Sequence, residues 1–143
     1  MWIFRIITVS EIVTIFNKEY VNIDTIIKLI EVHFTQEGNG VFSTEITIER
    51  DGVPKVYHGS GNGRLDAVSN AVKKHFQIDF KLVTYEEHAL QRSSDSQACC
   101  YVGIEMPDEN VTWGCGIRND IIDASVSALL SAVNKVLEAE HIK

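Results

Sequence analysis

The stretch GSGNGRLDAVSNAV, residues 59–72, decides the fold because its pattern occurs twice in the chain. Adding 57 to each number places Gly59 on Gly116 and Asp66 on Asp123, and the apolar positions that follow also coincide. In both copies a glycine-rich bend leads into apolar residues at helical spacing. Similarity at a fixed offset indicates a repeated structural unit, so the sequence predicts two similar halves.

Alternating apolar and polar residues precede each bend. In the first half the alternation runs over residues 28–35, 42–49 and 53–58, and in the second half the candidates are residues 80–90, 98–106 and 111–115. Alternation of this kind predicts half-buried antiparallel strands joined by hairpin turns. In the first strand we expect Ile30, Val32 and Phe34 to face the core.

The two copies do not match in one place. The offset of 57 aligns Ile46 with Gly103, whereas the apolar alternation of the second half falls on Val102 and Ile104. A shift of one residue exchanges the two faces of a strand. We therefore expect a bulge or a slipped register in one half.

These patterns predict an α+β fold of two pseudo-symmetric βββα units, in which helices pack on antiparallel sheets. Asp120 and Asp123 predict a capping box at the start of the second helix. A short amphipathic helix with Ser10 as its N-cap is expected in a linker segment, residues 1–26. The predicted domain covers residues 27–143, with halves at about 27–79 and 80–143.

The composition disfavours several classes of partner. The chain has 143 residues, a formal net charge of -7 and a pI of about 5.1. Nucleic acid is disfavoured because its phosphates require clustered Lys and Arg. The apolar opening, residues 1–9, is too short to span a membrane, and no membrane partner is expected. Cys99, Cys100 and Cys115 cannot all pair with one another, which favours a reducing cytoplasm.

Catalytic, metal and cofactor sites are not predicted. The five histidines are scattered without the spacing of metal ligands. A Cys99 or Cys115 nucleophile paired with His88 is an alternative, but nothing in the sequence marks either thiol as activated. A binding or interaction domain is therefore the better interpretation.

The glycine bend has two interpretations. Arg64 stands where a dinucleotide-binding fingerprint needs a third glycine, so that motif is not supported. The main-chain N–H groups of Gly61, Asn62 and Gly63 can instead bind a small anion such as a carboxylate at the start of the helix. The alternative is that the glycines only make a tight turn.

Three stretches, taken in order, resemble the C-terminal regulatory domain of 2-isopropylmalate synthase, the first committed enzyme of leucine biosynthesis. The resemblance spans about residues 28–136. It is carried by GNGRLDA (61–67), by YEEHAL (85–90) continuing to DSQA (95–98), and by WGCG (113–116) continuing to DIIDAS (120–125). Citramalate synthases share this domain and respond to isoleucine, and they are the second-ranked family.

The resemblance implies an allosteric domain that forms a homodimer and binds leucine as feedback inhibitor near the dimer interface. It also implies a partner within the parent protein, the catalytic barrel, an acyltransferase that condenses acetyl-CoA with 2-oxoisovalerate. Neither catalysis nor a cofactor is expected of this chain itself. A purely structural dimerisation module is the alternative from another functional class, and a small Cys/His hydrolase is a third.

The resemblance also implies a ligand site in which main-chain groups meet the polar end of the amino acid and an apolar cavity holds its side chain. Arg64 stands where the family usually has Pro, Thr84 replaces a common Asp, and Asp66 adds a charge where some members have Ala. The residues that the resemblance assigns to the leucine site are Gly61, Asn62, Gly63, Leu65, Asp66, Leu82, Tyr85, His88, Ala89, Ser96, Ala98 and Ile121.

Overall fold

The computed structural model describes residues 8–89 and 97–141 of the chain. The predicted helices and strands are present, in the predicted order. They are α1 (Val9–Tyr20), β1 (Ile27–Gln36), a short 3-10 turn (Gly38–Gly40), β2 (Phe42–Arg50), β3 (Val53–Gly61), α2 (Arg64–Phe76), β4 (Lys81–Ala89), β5 (Ala98–Glu105), β6 (Val111–Arg118) and α3 (Ile121–His141).

The six strands form two antiparallel sheets of three strands each. The first has the order β1-β2-β3 and the second the order β4-β5-β6. Helix α2 packs on β2 and β3, and α3 packs on β5 and β6. The structure thus confirms two βββα units in an α+β fold, preceded by a short helix. Buried apolar side chains from both units form one shared cluster, in which α2 also contacts α3.

The first strand of each unit carries a bulge at the equivalent position. The pairing of β1 with β2 shifts between Leu29 and Glu31, and the pairing of β4 with β5 shifts between Leu82 and Thr84. The bulge turns Ile30 outward, where it is 50% exposed. The prediction that Ile30 faces the core was therefore wrong, because a bulge interrupts the twofold alternation on which it rested.

The mismatch between the copies has a different cause from the expected bulge or slip. Strands β2 and β3 pair residue for residue, and so do β5 and β6. Between the equivalent pairs Glu49–Pro54 and Glu105–Val111 lie residues 50–53 in the first unit and residues 106–110 in the second. The second hairpin loop is therefore one residue longer, which changes the offset from 57 in the third strands to 56 in the second strands.

The third strand of each unit extends three residues beyond its predicted end, to Gly61 in β3 and Arg118 in β6. Glycines occupy positions near the ends of these strands because the following helix lies too close to leave room for a side chain. A Cβ at Gly59 would lie 2.7 Å from Ala71 Cβ, and one at Gly116 would lie 2.6 Å from the Ala128 nitrogen. These contacts are related by the same offset of 57, so the repeat extends to the packing of helix on sheet.

Side chains cap the starts of α1 and α3. Thr8, and not the predicted Ser10, caps α1, since the Thr8 side chain accepts a hydrogen bond from the Glu11 N–H. Asp120 caps α3 as predicted, because its Oδ1 accepts the N–H groups of Ile122 and Asp123 at 2.8 and 3.0 Å. Within the described residues, each helix is too short or too polar to cross a lipid bilayer.

A buried asparagine ties the segment between α1 and β1 to the second unit. Asn134 of α3 is fully buried and makes five hydrogen bonds: its Oδ1 accepts the N–H groups of Ile26 and Ile27, and its Nδ2 donates to carbonyls of Ile23, Ile27 and Leu130. Because both polar atoms are satisfied, the burial of this amide is stabilising. The helical pattern alone gave no sign of this role.

Candidate functional site

An open cleft of about 440 Å³ lies where the start of α2 meets β4 and the start of α3. The cleft therefore draws on both units, and neither unit forms it alone. Such a volume falls within the roughly 300–1,000 Å³ of small-molecule sites in proteins. Its lining consists of Gly63, Arg64, Leu65, Asp66, Leu82, Tyr85, Glu87, Ile121, Ile122 and Ser125.

The structure brings half of the twelve predicted ligand residues into this cleft. The six are Gly63, Leu65, Asp66, Leu82, Tyr85 and Ile121.

The other six predicted residues lie elsewhere or are only partly described. Gly61 and Asn62 immediately precede the cleft residues of the bend, and Ala98 is buried in the core. His88 lies near Glu86, with 3.9 Å between His88 Nε2 and Glu86 Oε2, and does not line the cleft. Ala89 ends β4 with its side chain outside the described atoms, and Ser96 lies outside the described residues.

The start of α2 faces the cleft without a capping side chain. Gly63 is the N-cap residue, and it makes no side-chain hydrogen bond of the kind that Asp120 makes at the equivalent position of α3. Its φ of -159° suits any residue, and an added Cβ would meet no described atom within 4 Å. Neither a turn nor packing requires glycine here. An uncapped helix start carries partial positive charge and free N–H donors, which attract anions.

The main-chain amide of Asn62, one of the three expected to meet a ligand, has a side-chain partner within the protein. The Asn62 N–H donates to Asp66 Oδ2 at 2.9 Å. Gly61 is needed for this contact, because a Cβ there would collide with the Asp66 carboxylate and lie 2.8 Å from the Ala67 nitrogen. The bend therefore offers a ligand the groups around Gly63, while Asp66 stabilises the bend itself.

Tyr85 and Glu87 form the polar edge of the cleft on β4. The Tyr85 hydroxyl donates to Glu87 Oε2 at 2.7 Å. Burial raises the pKa of Tyr85 above its ordinary value of 10.0, and the hydrogen bond to Glu87 raises it further. The hydroxyl therefore stays protonated and holds the carboxylate in place. At the start of α2, the Arg64 guanidinium lies 4.9 Å from the centre of the Phe42 ring, a cation–π contact.

The remaining wall of the cleft is aliphatic. Leu65 of α2, Leu82 of β4, and Ile121 and Ile122 of α3 contribute its side chains. The Ser125 hydroxyl donates to the Ile122 carbonyl at 2.7 Å, so it is already engaged within the helix. The cleft thus combines one apolar wall with both signs of charge at its rim.

The repeat places a second cleft of about 440 Å³ between β1 and the start of α3. Leu29, Val32 and Asp123 occupy the positions of Leu82, Tyr85 and Asp66 in the first cleft. Four of the seven residues that line the second cleft are charged, namely Lys28, Glu31, Arg118 and Asp123, against three of ten in the first cleft, and Asp120 caps the adjoining helix. The second cleft is therefore less suited to an aliphatic group, and its helix start is less open to an anion.

All three cysteines are buried, and two of their thiols have raised pKa values. Burial, together with a hydrogen bond between the Cys99 and Cys115 thiols, raises the pKa of Cys115 to about 12, and burial also raises the pKa of Cys100. Thiols with such pKa values are protonated at neutral pH and are poor nucleophiles. Within residues 8–89 and 97–141, His, Cys, Asp and Glu side chains form no group of three that could hold a metal ion.

Comparison with known proteins gives the same family that the sequence motifs indicated. The chain is 44% identical over 129 residues to the 2-isopropylmalate synthase of Desulfitobacterium hafniense, and 37% identical over 135 residues to that of Helicobacter hepaticus. Each alignment covers 90% of this chain but only 23% and 24% of the respective relative, so the chain spans about a quarter of their length.

The family assignment rests on nearly the whole chain. Residues 6–137 match the family described as the LeuA allosteric (dimerisation) domain. The match begins within the segment that carries α1 and ends within α3, so it includes both βββα units. The chain therefore belongs to the family of LeuA allosteric (dimerisation) domains, the regulatory domain of enzymes named 2-isopropylmalate synthase.

Proposed function

We propose that the cleft between α2, β4 and α3 binds leucine, and that the bound leucine acts as feedback inhibitor of a 2-isopropylmalate synthase. The observation that carries this proposal is the lining of the cleft. A branched aliphatic wall faces an uncapped helix start, and both signs of charge stand at the rim. A zwitterion with a branched apolar side chain needs these three features together.

The position of the cleft supports a regulatory role. Its lining comes from α2 of the first unit and from β4 and α3 of the second. A ligand in it contacts both units and favours whichever arrangement of them binds it better. Allosteric control is such a difference in affinity between two states of a protein. In the parent enzyme, we propose, this arrangement is coupled to a catalytic barrel that condenses acetyl-CoA with 2-oxoisovalerate.

Two alternatives differ in what they expect of the cleft. An isoleucine-sensing domain of the citramalate synthase type would use the same wall with a different preference among branched side chains. A purely structural dimerisation module would bind no amino acid. The glycine at position 63 argues against the structural module, since neither its backbone conformation nor the packing around it requires a glycine there.

Calorimetric titration with leucine, isoleucine and valine tests the proposal. We expect leucine to bind at submillimolar concentration and more tightly than the other two. Tighter binding of isoleucine would favour an isoleucine-sensing domain of the citramalate synthase type. Absence of binding by all three at millimolar concentration, with the protein shown to be folded by circular dichroism, would reject an amino-acid sensor.

A further inference from the structure

We infer that the Glu87 carboxylate is the group that binds the α-ammonium of the amino acid in the cleft. The inference rests on the proposed function, because it assigns one end of the same ligand. Glu87 was not among the residues predicted from the sequence. It lines the cleft directly beside Tyr85, and a carboxylate is a preferred partner for an ammonium group.

The backbone of β4 places Glu87 on the cleft side of the strand. Tyr85 and Glu87 are two residues apart, and in a strand such residues share a face. Tyr85 pairs across the sheet with Val102 and Glu87 with Cys100, and both partners are buried in the shared core. The neighbouring Glu86 pairs with Tyr101 on the other face. Glu86 is thus a chemically identical residue that points away from the cleft.

The Tyr85 hydroxyl prepares Glu87 for this role. It donates to Oε2 at 2.7 Å, which fixes one carboxylate oxygen and leaves Oε1 and the free lone pairs to a ligand. Holding an ionised acceptor in place before the ligand arrives reduces the entropy that binding must overcome. Tyr85 is thus a positioning residue for Glu87 as well as part of the wall.

The other charged groups of the cleft fix the direction of the ligand. Asp66 already accepts the Asn62 N–H, and it lies in the first turn of α2, where the helix dipole opposes a cation. Arg64 and the uncapped start of α2 attract the carboxylate instead. The amino acid therefore lies with its carboxylate toward Gly63 and Arg64 and its ammonium toward Glu87, while its side chain meets the aliphatic wall.

A cycle of two ligands and two proteins tests this assignment. Leucine and 4-methylpentanoate, which is leucine without the ammonium, are titrated calorimetrically against the 143-residue chain and against Glu87→Gln. We expect Glu87→Gln to weaken leucine binding about tenfold or more, as for loss of a charged hydrogen bond. The affinity for 4-methylpentanoate should change little, so the advantage of leucine over it shrinks in the variant.

Matched variants separate this role from general damage to the domain. Glu86→Gln removes the same charge from the opposite face and should bind leucine as the unmodified chain does. Tyr85→Phe removes only the positioning hydroxyl and should weaken leucine more than 4-methylpentanoate. It provides a second test should Glu87→Gln fail to fold.

Different results would reject the proposed function and the assignment of Glu87. If the unmodified chain binds no amino acid, the proposed function fails. If the unmodified chain binds leucine and folded Glu87→Gln binds it equally well, the assignment of Glu87 is wrong and the proposed function stands. An equal loss in Glu86→Gln and Glu87→Gln would also overturn the assignment, since it would reflect overall charge.

Discussion

The two units differ at the residue that caps the helix, which is Gly63 in the first unit and Asp120 in the second. Asp120 of the second unit satisfies two N–H groups of its helix, whereas Gly63 of the first leaves this role unfilled. A capping aspartate stabilises a helix by a few tenths of a kcal/mol relative to glycine. The first unit therefore forgoes some helix stability at a helix start that faces the aliphatic cleft.

Gly63→Asp is expected to raise the stability of the domain slightly while abolishing leucine binding. The new carboxylate would cap α2 and occupy the region that the ligand carboxylate needs, with like charges repelling. Urea unfolding and calorimetric titration measure the two effects. Gly38→Asp, at a turn where a Cβ would also meet no described atom within 4 Å, is the control for added charge. Unchanged leucine affinity in Gly63→Asp would contradict the proposed orientation of the ligand.

Cys115 makes the stability of the domain sensitive to alkaline pH. Its pKa is raised from 9.0 to about 12 in the folded state. Below pH 9 both the folded and the unfolded chain keep the thiol protonated, so it adds no pH dependence. Between pH 9 and 12 only the unfolded chain ionises, and the free energy of unfolding falls by up to about 1.4 kcal/mol per pH unit.

Urea unfolding of the chain and of Cys115→Ala at pH 8, 9 and 10 checks this effect. Tyr85, Cys100 and Tyr101 also have raised pKa values and contribute to the same loss. The alanine variant should therefore show a shallower decline and not a flat one. An identical decline in both proteins would show that Cys115 ionises equally easily in the two states.

The sequence predicted part of the candidate site and missed the rest. The motifs directed attention to six residues that the structure gathers in one cleft. Glu87 was missed, although it follows Tyr85 at the spacing that keeps a strand residue on the same face. The hydrogen bond between the Asn62 N–H and Asp66 could not be predicted from the sequence either, because it depends on how closely the end of the strand approaches the helix.

At the scale of elements, the sequence predicted the order of helices and strands because the hydrophobic periods of 2 and 3.6 residues are strong in both units. It could not predict the bulges at Ile30 and Val83, since a bulge follows from strand pairing and leaves little trace in composition. Nor did it predict the strand extensions to Gly61 and Arg118, because glycine usually marks a turn. Here glycine instead allows a helix to approach a strand.

Asn134 is expected to be the most costly polar residue of α3 to replace. Asn134→Leu keeps the volume of the side chain but leaves the part-buried N–H of Ile26 and the buried N–H of Ile27 without their acceptor. The expected loss is about 2–4 kcal/mol in the free energy of unfolding, measured in urea. Asn119→Leu, at an exposed position, should change stability by less than about 0.5 kcal/mol. A similar small effect at Asn134 would contradict its role in tying residues 23–27 to α3.

At the scale of the whole molecule, an apolar area remains exposed on the second unit. Trp113 is 45% exposed beside Phe16 and Tyr20 of α1, and together with Tyr101 they border an open cleft of about 330 Å³. Exposed apolar clusters commonly mark protein interfaces. We therefore expect the chain to associate through this face, in keeping with a family described by dimerisation.

Sedimentation at micromolar concentration is expected to give a dimer, with twice the chain mass of 16.0 kDa. Trp113→Glu should shift the species toward monomer, because burying an unpaired charge opposes association. His58→Glu adds the same charge at an exposed position of the first sheet and should leave the dimer intact. A chain that sediments as monomer throughout would contradict this expectation.

The central claim is that, of the two clefts produced by the repeat, the one at the start of α2 holds leucine. Backbone amide NMR of the labelled chain during a leucine titration tests it most directly. The account predicts shifts concentrated at residues 63–66, 82–87 and 121–125, with small changes at residues 28–32 of the second cleft. Saturable shifts centred on residues 28–32 and Arg118, or no shifts at millimolar leucine, would contradict it.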